Sequence, residues 1–146
     1  MLRIVERIDH GEPAATLTLP LEQRVRARLR VTLDDGRDAG LFLERGPILR
    51  DGDLLRGEDG LVVRVLAADE PVSVVRSADA HLLARACYHL GNRHAPLQIL
   101  PGEVRYQHDH VLDDMVRGLG LAPRFAELPF ETEPGAYGEH GSEHAH

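Results

Sequence analysis

The chain has 146 residues, 42% of them hydrophobic and 28% charged, enough to build one ordinary domain or two small ones with real cores. Its formal charge of −7 and its 17 basic residues, all arginine and scattered along the sequence, argue against nucleic acid as a partner. No apolar run approaches the roughly 18 residues of a membrane helix, and the first residues lack the basic-then-apolar order of a signal peptide. The single cysteine, Cys87, can make neither an internal disulfide nor a thiolate cluster. The expectation is a cytoplasmic, globular protein that holds any metal through histidine or carboxylate.

Residues 2–8 and 16–21 read as short β-runs. Val25, Ala27, Leu29, Val31 and Leu33 then alternate with Arg24, Arg26, Arg28, Arg30 and Thr32, a period of two that predicts a half-buried strand over residues 25–33. The four arginines on its polar face are either a ligand site or a solvated outer face, and the solvated face is the simpler expectation. Asp34-Asp35-Gly36 supplies turn chemistry, because glycine accepts the positive φ of a tight hairpin, and residues 39–43 continue as the second strand. Further β-runs at 53–56 and 61–67 flank Asp59-Gly60. Residues 1–70 are therefore predicted to form a small all-β domain.

After Glu70-Pro71 the pattern changes. Residues 72–76 form a β-branched run, Ser77 is placed to cap a helix, and Leu82, Leu83, Ala86, Cys87 and Leu90 follow at helical spacing until Gly91 ends it. Strands at 97–100 and 104–107 meet at Pro101-Gly102. Asp109 then precedes a second helical stripe of Val111, Leu112, Met115, Val116 and Leu119, which Gly118 or Gly120 can close. A last strand runs over 124–130. The order β-α-β-β-α-β is that of a ferredoxin-like fold spanning residues 71–130, so the fold class is α+β. Residues 131–146 are Glu-, Gly- and His-rich with almost nothing to bury, and are expected to form a flexible acidic tail.

Nine histidines are the one compositional excess, and five of them lie at or after His108. His94 sits in Gly91-Asn92-Arg93-His94, where the chain turns after the first helix; taken alone, such a histidine is usually a plain surface residue. His108-Asp109-His110 spans the next strand-to-helix junction. Imidazole and carboxylate side by side can bind a divalent ion, while equally Asp109 can be a helix cap and the histidines incidental. His140, His144 and His146 lie in the tail, with spacing unlike a purification tag. These ligand types suit nickel, copper or zinc without choosing among them. No compact metal-hydrolase motif, nucleotide-binding loop or nucleophile elbow occurs, so catalysis lacks support. A two-fold axis would turn one exposed His94 into two facing ligands. Cys87, within the apolar stripe, reads as a small core residue rather than a nucleophile.

The stretch Ala86-Cys87-Tyr88-His89-Leu90-Gly91-Asn92-Arg93-His94, with Gln98 and Asp109-His110-Val111-Leu112-Asp113-Asp114-Met115, closely resembles the UreE family of urease accessory proteins. The likeness extends upstream through Leu29-Arg30-Val31-Thr32-Leu33-Asp34-Asp35-Gly36, Gly40-Leu41-Phe42-Leu43 and Leu49-Arg50-Asp51-Gly52-Asp53, and leaves only the tail uncovered. It implies an N-terminal domain similar to a peptide-binding module and a ferredoxin-like domain that joins a homodimer. It also implies a nickel chaperone rather than an enzyme, with Ni(II) as cargo and Zn(II) or Cu(II) fitting the same donors in vitro. His94 and its symmetry mate would be the core ligands at the dimer interface, His110 a peripheral ligand with His108 and Asp109 beside it, and the tail histidines helpers. The implied partners are the urease accessory GTPase and the apo-urease assembly. The rival expectations are a zinc or other metal-dependent hydrolase built on His94, His108 and His110, and a non-catalytic peptide-binding scaffold with incidental histidines.

Overall fold

The structure is a computed structural model that describes residues 1–135. The chain divides into two compact units, Met1–Ala68 and Asp69–Glu133. The mixed α+β class holds, with most of the ordered chain in strands.

The first unit contains β1 (Leu2–Ile8), β2 (Ala15–Leu19), α1 (Leu21–Arg24), β3 (Arg28–Thr32), β4 (Asp38–Phe42), β5 (Leu54–Gly57) and β6 (Val62–Ala67). They form one six-stranded sheet in the order β2-β6-β5-β1-β4-β3. β1 runs parallel to β4 and β2 parallel to β6, while the remaining pairs are antiparallel. Inward residues at alternate positions, among them Ile4, Leu17, Val31, Leu41, Leu55, Val63 and Val65, make a core of fully or nearly fully buried aliphatic side chains. The predicted hairpin turn forms: Gly36 takes φ +95° and Leu33 donates its amide to the Arg37 carbonyl at 2.9 Å. Asp34, at the end of β3, accepts from the hydroxyls of Thr16 and Thr18 at 2.7 and 2.8 Å, tying this end of β3 to β2.

The strand predicted over 25–33 forms only over Arg28–Thr32, because Val25 is the C-cap of α1 and the amides of Val25 and Arg26 turn back to the carbonyls of Leu21 and Gln23. Arg24 is only 1% exposed, at the end of α1, where its Nε and Nη1 donate to the carbonyls of Leu19 and Leu49 at 3.0 and 3.1 Å. A guanidinium that satisfies otherwise unpaired carbonyls can be buried with profit. Its place in the alternating pattern was coincidental.

The second unit contains β7 (Asp69–Arg76), α2 (Ala80–Asn92), β8 (Leu97–Leu100), β9 (Glu103–Gln107), α3 (His110–Gly118) and β10 (Arg124–Pro129). Its antiparallel sheet has the order β10-β7-β9-β8. Val75, Val104 and Tyr106 from the sheet pack with Ala86 and Leu90 of α2, Val116 of α3 and Leu121 beyond it. Cys87 packs beside this cluster and is half-buried. β7 begins before Pro71, a position where proline is tolerated because it lies near the start of the strand. Ser77 does not cap α2 as expected. Asp79 is the cap, accepting from the Leu82 amide at 3.0 Å, and the Ser77 hydroxyl accepts from the Asp79 amide.

Candidate metal centre

The ends of the two helices place the histidines that the sequence singles out. Gly91 does not end α2; it lies within the helix, and the left-handed residue comes three positions later. His94 has φ 59° and is the non-glycine residue with positive φ among the described residues. Its amide donates to the Gly91 carbonyl at 2.9 Å, and the Ala95 amide donates to the Leu90 carbonyl at 3.3 Å. With Arg93 as the C-cap, these are the two bonds of a Schellman motif, whose left-handed position glycine normally fills. An L-residue there costs about 1–2 kcal/mol. The His94 side chain is exposed.

At the start of α3, Asp109 is the N-cap. Its Oδ1 accepts from the amides of Val111 and Leu112 at 2.8 and 3.1 Å, so the capping role weighed in the sequence is present. His110 is the first residue of the helix and is exposed. His108, before the cap, is held differently. Its Nδ1 lies 3.2 Å from Ser73 Oγ and 3.4 Å from Asp113 Oδ2, and its ring meets Phe125 edge to face at 5.0 Å between centroids.

Behind His108 is a polar cluster that sequence reasoning missed. Ser73 of β7 and Tyr106 of β9 are opposite each other across the ladder. Both donate their hydroxyl protons to Asp113 Oδ1, at 2.7 and 2.6 Å. All three side chains are buried, Asp113 being 5% exposed. Burial, and then the Asp113 carboxylate, push the Tyr106 phenol far above its ordinary range. The cluster also fixes a tautomer. A serine hydroxyl has one proton, and Ser73 gives it to Asp113; toward His108 it can only accept. In the neutral imidazole Nδ1 therefore carries the hydrogen and Nε2 the lone pair, the arrangement of a histidine whose outer nitrogen is a metal ligand. The available signals were a serine inside the β-branched run of β7 and a carboxylate on the apolar side of α3.

Among the described residues no group of three or more His, Cys, Asp or Glu side chains is gathered so as to hold a metal ion. His94, His108 and His110 are thus not a preformed triad within one copy of the chain, contrary to the hydrolase expectation. His140, His144 and His146 lie outside the described residues. Cys87 offers no activated thiolate, since burial and the charge of Glu133 both push its thiol up.

The UreE urease accessory protein N-terminal domain model matches residues 2–68, and the corresponding C-terminal domain model matches residues 70–146. The chain belongs to the UreE family. It is 60% identical over 139 residues to the urease accessory protein UreE of Enterobacter sp. (strain 638), covering 94% of this chain and 91% of that protein. It is 56% identical to the UreE of Escherichia coli O157:H7 (strain EC4115 / EHEC) over the full length of both. The Pseudomonas putida (strain W619) protein of the same name is 63% identical, over 94% of this chain and 86% of its own length. A UreE-family chain is an accessory to urease and not itself an enzyme. No helix among its described residues is long and apolar enough to cross a membrane.

Proposed function

We propose that this UreE-family chain is a cytoplasmic nickel metallochaperone that carries Ni(II) as cargo between two copies of itself and delivers it for assembly of the urease active site. The second unit, with its β-α-β-β-α-β order and β10-β7-β9-β8 sheet, is the ferredoxin-like dimerisation domain. Exposed apolar side chains in that unit, Tyr88, Ile99 and Val111, are surface that a second copy would cover. The observation that carries the proposal is His94: an imidazole kept, exposed, at a left-handed position where glycine would be more stable. Strain of this kind is retained where a side chain is needed. One His94 from each copy supplies the core ligands. His110, with His108 and Asp109, forms a peripheral set, and His140, His144 and His146 contribute further ligands.

A single core ligand per copy, on an exposed side chain, favours exchange over permanent retention. Protons compete for the same imidazole nitrogens, so nickel is released as the solution is acidified. Delivery then requires the urease accessory GTPase and the apo-urease complex as acceptors. Calorimetric titration of Ni(II) into the wild-type chain and into His94→Ala tests the core assignment. The expected result is loss of the tightest site in a variant that remains dimeric. Retention of that site would overturn it.

A further inference from the structure

The register of the second unit's sheet sets three side chains in one row. Phe125 of β10 is opposite Ser73 of β7, and Ser73 is opposite Tyr106 of β9. Directly opposed residues of an antiparallel sheet share a face, and α3 brings Asp113 to this row. The two oxygens of Asp113 are used differently. Oδ1 takes the protons of both Ser73 and Tyr106, at 2.7 and 2.6 Å, whereas Oδ2 meets no hydroxyl among the described residues and lies 3.4 Å from His108 Nδ1.

His108 is held at three points. Its amide donates to the Pro71 carbonyl at 3.1 Å, its Nδ1 lies 3.2 Å from Ser73 Oγ, and its ring meets the Phe125 ring at 89°. Nε2, across the ring from this anchorage, pairs with no group among the described residues, and the side chain is 39% exposed. His94 and His110 are exposed as well, but meet no side-chain hydrogen-bond partner among the described residues.

Burying a carboxylate is costly, and the two hydroxyls do not require one: the carbonyl oxygen of an asparagine would accept both protons equally. What an amide could not do is accept with its second atom, because its NH2 group would face His108 Nδ1 as a donor. A carboxylate here is matched to an imidazole that carries its hydrogen on Nδ1.

We propose that Asp113, acting together with Ser73, is a positioning residue for the metal: it holds the hydrogen of His108 on Nδ1 and so presents the Nε2 lone pair as a ready ligand. This rests on the nickel-carrying function, in which His108 belongs to the peripheral set. Asp113→Asn is the test, since its carbonyl oxygen keeps both hydroxyl bonds while its NH2 group offers Nδ1 a donor. Long-range nitrogen–proton NMR correlation of the metal-free full-length chain, at about pH 8.5 where imidazoles are neutral, reports the tautomer, and His108→Ala identifies the signals. The wild type should carry the hydrogen on Nδ1 and the Asn variant on Nε2.

In calorimetric titration with Ni(II), Asp113→Asn should weaken the peripheral site about tenfold and leave the tightest site, assigned to His94, unchanged. A role in folding alone would neither invert a tautomer nor single out one site. A hydrogen on Nε2 in the wild type, an unchanged tautomer in the variant, or equal weakening of both sites would each overturn the proposal. Saturable nickel binding that Asp113→Asn leaves unaltered would overturn it and spare the nickel function; no saturable binding by the wild type would overturn both. Should Asp113→Asn fail to fold, the wild-type tautomer still decides.

Discussion

Helices α2 and α3 end in the same bonding pattern around different residues. At the end of α3 the Gly120 amide donates to Arg117 at 2.9 Å and the Leu121 amide to Val116 at 3.3 Å; at the end of α2 the His94 amide donates to Gly91 at 2.9 Å and the Ala95 amide to Leu90 at 3.3 Å. The left-handed residue is Gly120, with φ +97°, in one and His94, with φ 59°, in the other. Folding alone would favour glycine at both. What the pair teaches is that one helix end is built for stability and the other presents an imidazole at some expense to it.

A similar contrast separates His94 from His108, whose ring is held by Ser73, Asp113 and Phe125. Asp113→Ala should have the largest effect, because it leaves the buried hydroxyls of Ser73 and Tyr106 without an acceptor. A loss of about 3 kcal/mol in denaturant unfolding is expected, whereas His94→Ala should leave stability nearly unchanged. If the two variants unfolded alike, the distinction between an anchored and an unanchored histidine would fail.

Tyr106→Phe should remove about 1–1.5 kcal/mol at neutral pH and alter the alkaline limb of the stability profile. The raised phenol pKa contributes stability that is fully present below the ordinary tyrosine value of about 10. Above that pH the unfolded chain ionises while folded Tyr106 does not, so stability falls as pH rises. The Phe variant should show a shallower decline between about pH 10 and 11. Equal slopes would argue against the buried phenol as their source.

The helix ends themselves give the smaller effects. A Cβ added at Gly120 meets nothing within 4 Å, so Gly120→Ala isolates the backbone conformation and should destabilise by about 1 kcal/mol. His94→Gly should do the reverse, stabilising by about 0.5–1 kcal/mol while weakening nickel binding as much as His94→Ala does. A His94→Gly chain that is less stable than the wild type would remove the case for strain at this position.

Local pattern was enough for much of the fold. The period-two runs, the Asp34-Asp35-Gly36 turn and the two helical stripes place most elements within a few residues, since each depends on neighbours in the chain. The motif Gly91-Asn92-Arg93-His94 and the upstream likeness named the family that the domain models match. Single chemical roles were legible where the partner is close in sequence, as with the Asp109 cap. They failed where it is distant. Arg24 looked like one more arginine on a strand face, and only the approach of the Leu49 carbonyl, 25 residues on, makes it a buried structural residue.

The sequence by itself determined most element types, though not the short helix α1, together with the family and the identity of the candidate ligands, because these follow from residue chemistry and spacing. Tertiary structure decided which histidine is held and which meets no side-chain partner among the described residues. Ser73, Tyr106 and Asp113 lie on three different elements, and no periodicity shows that two hydroxyls and one carboxylate will meet behind His108. It also decided that the strained position after α2 is His94 and not Gly91, since the last helical bonds, rather than the nearest glycine, set where the chain must turn left-handed.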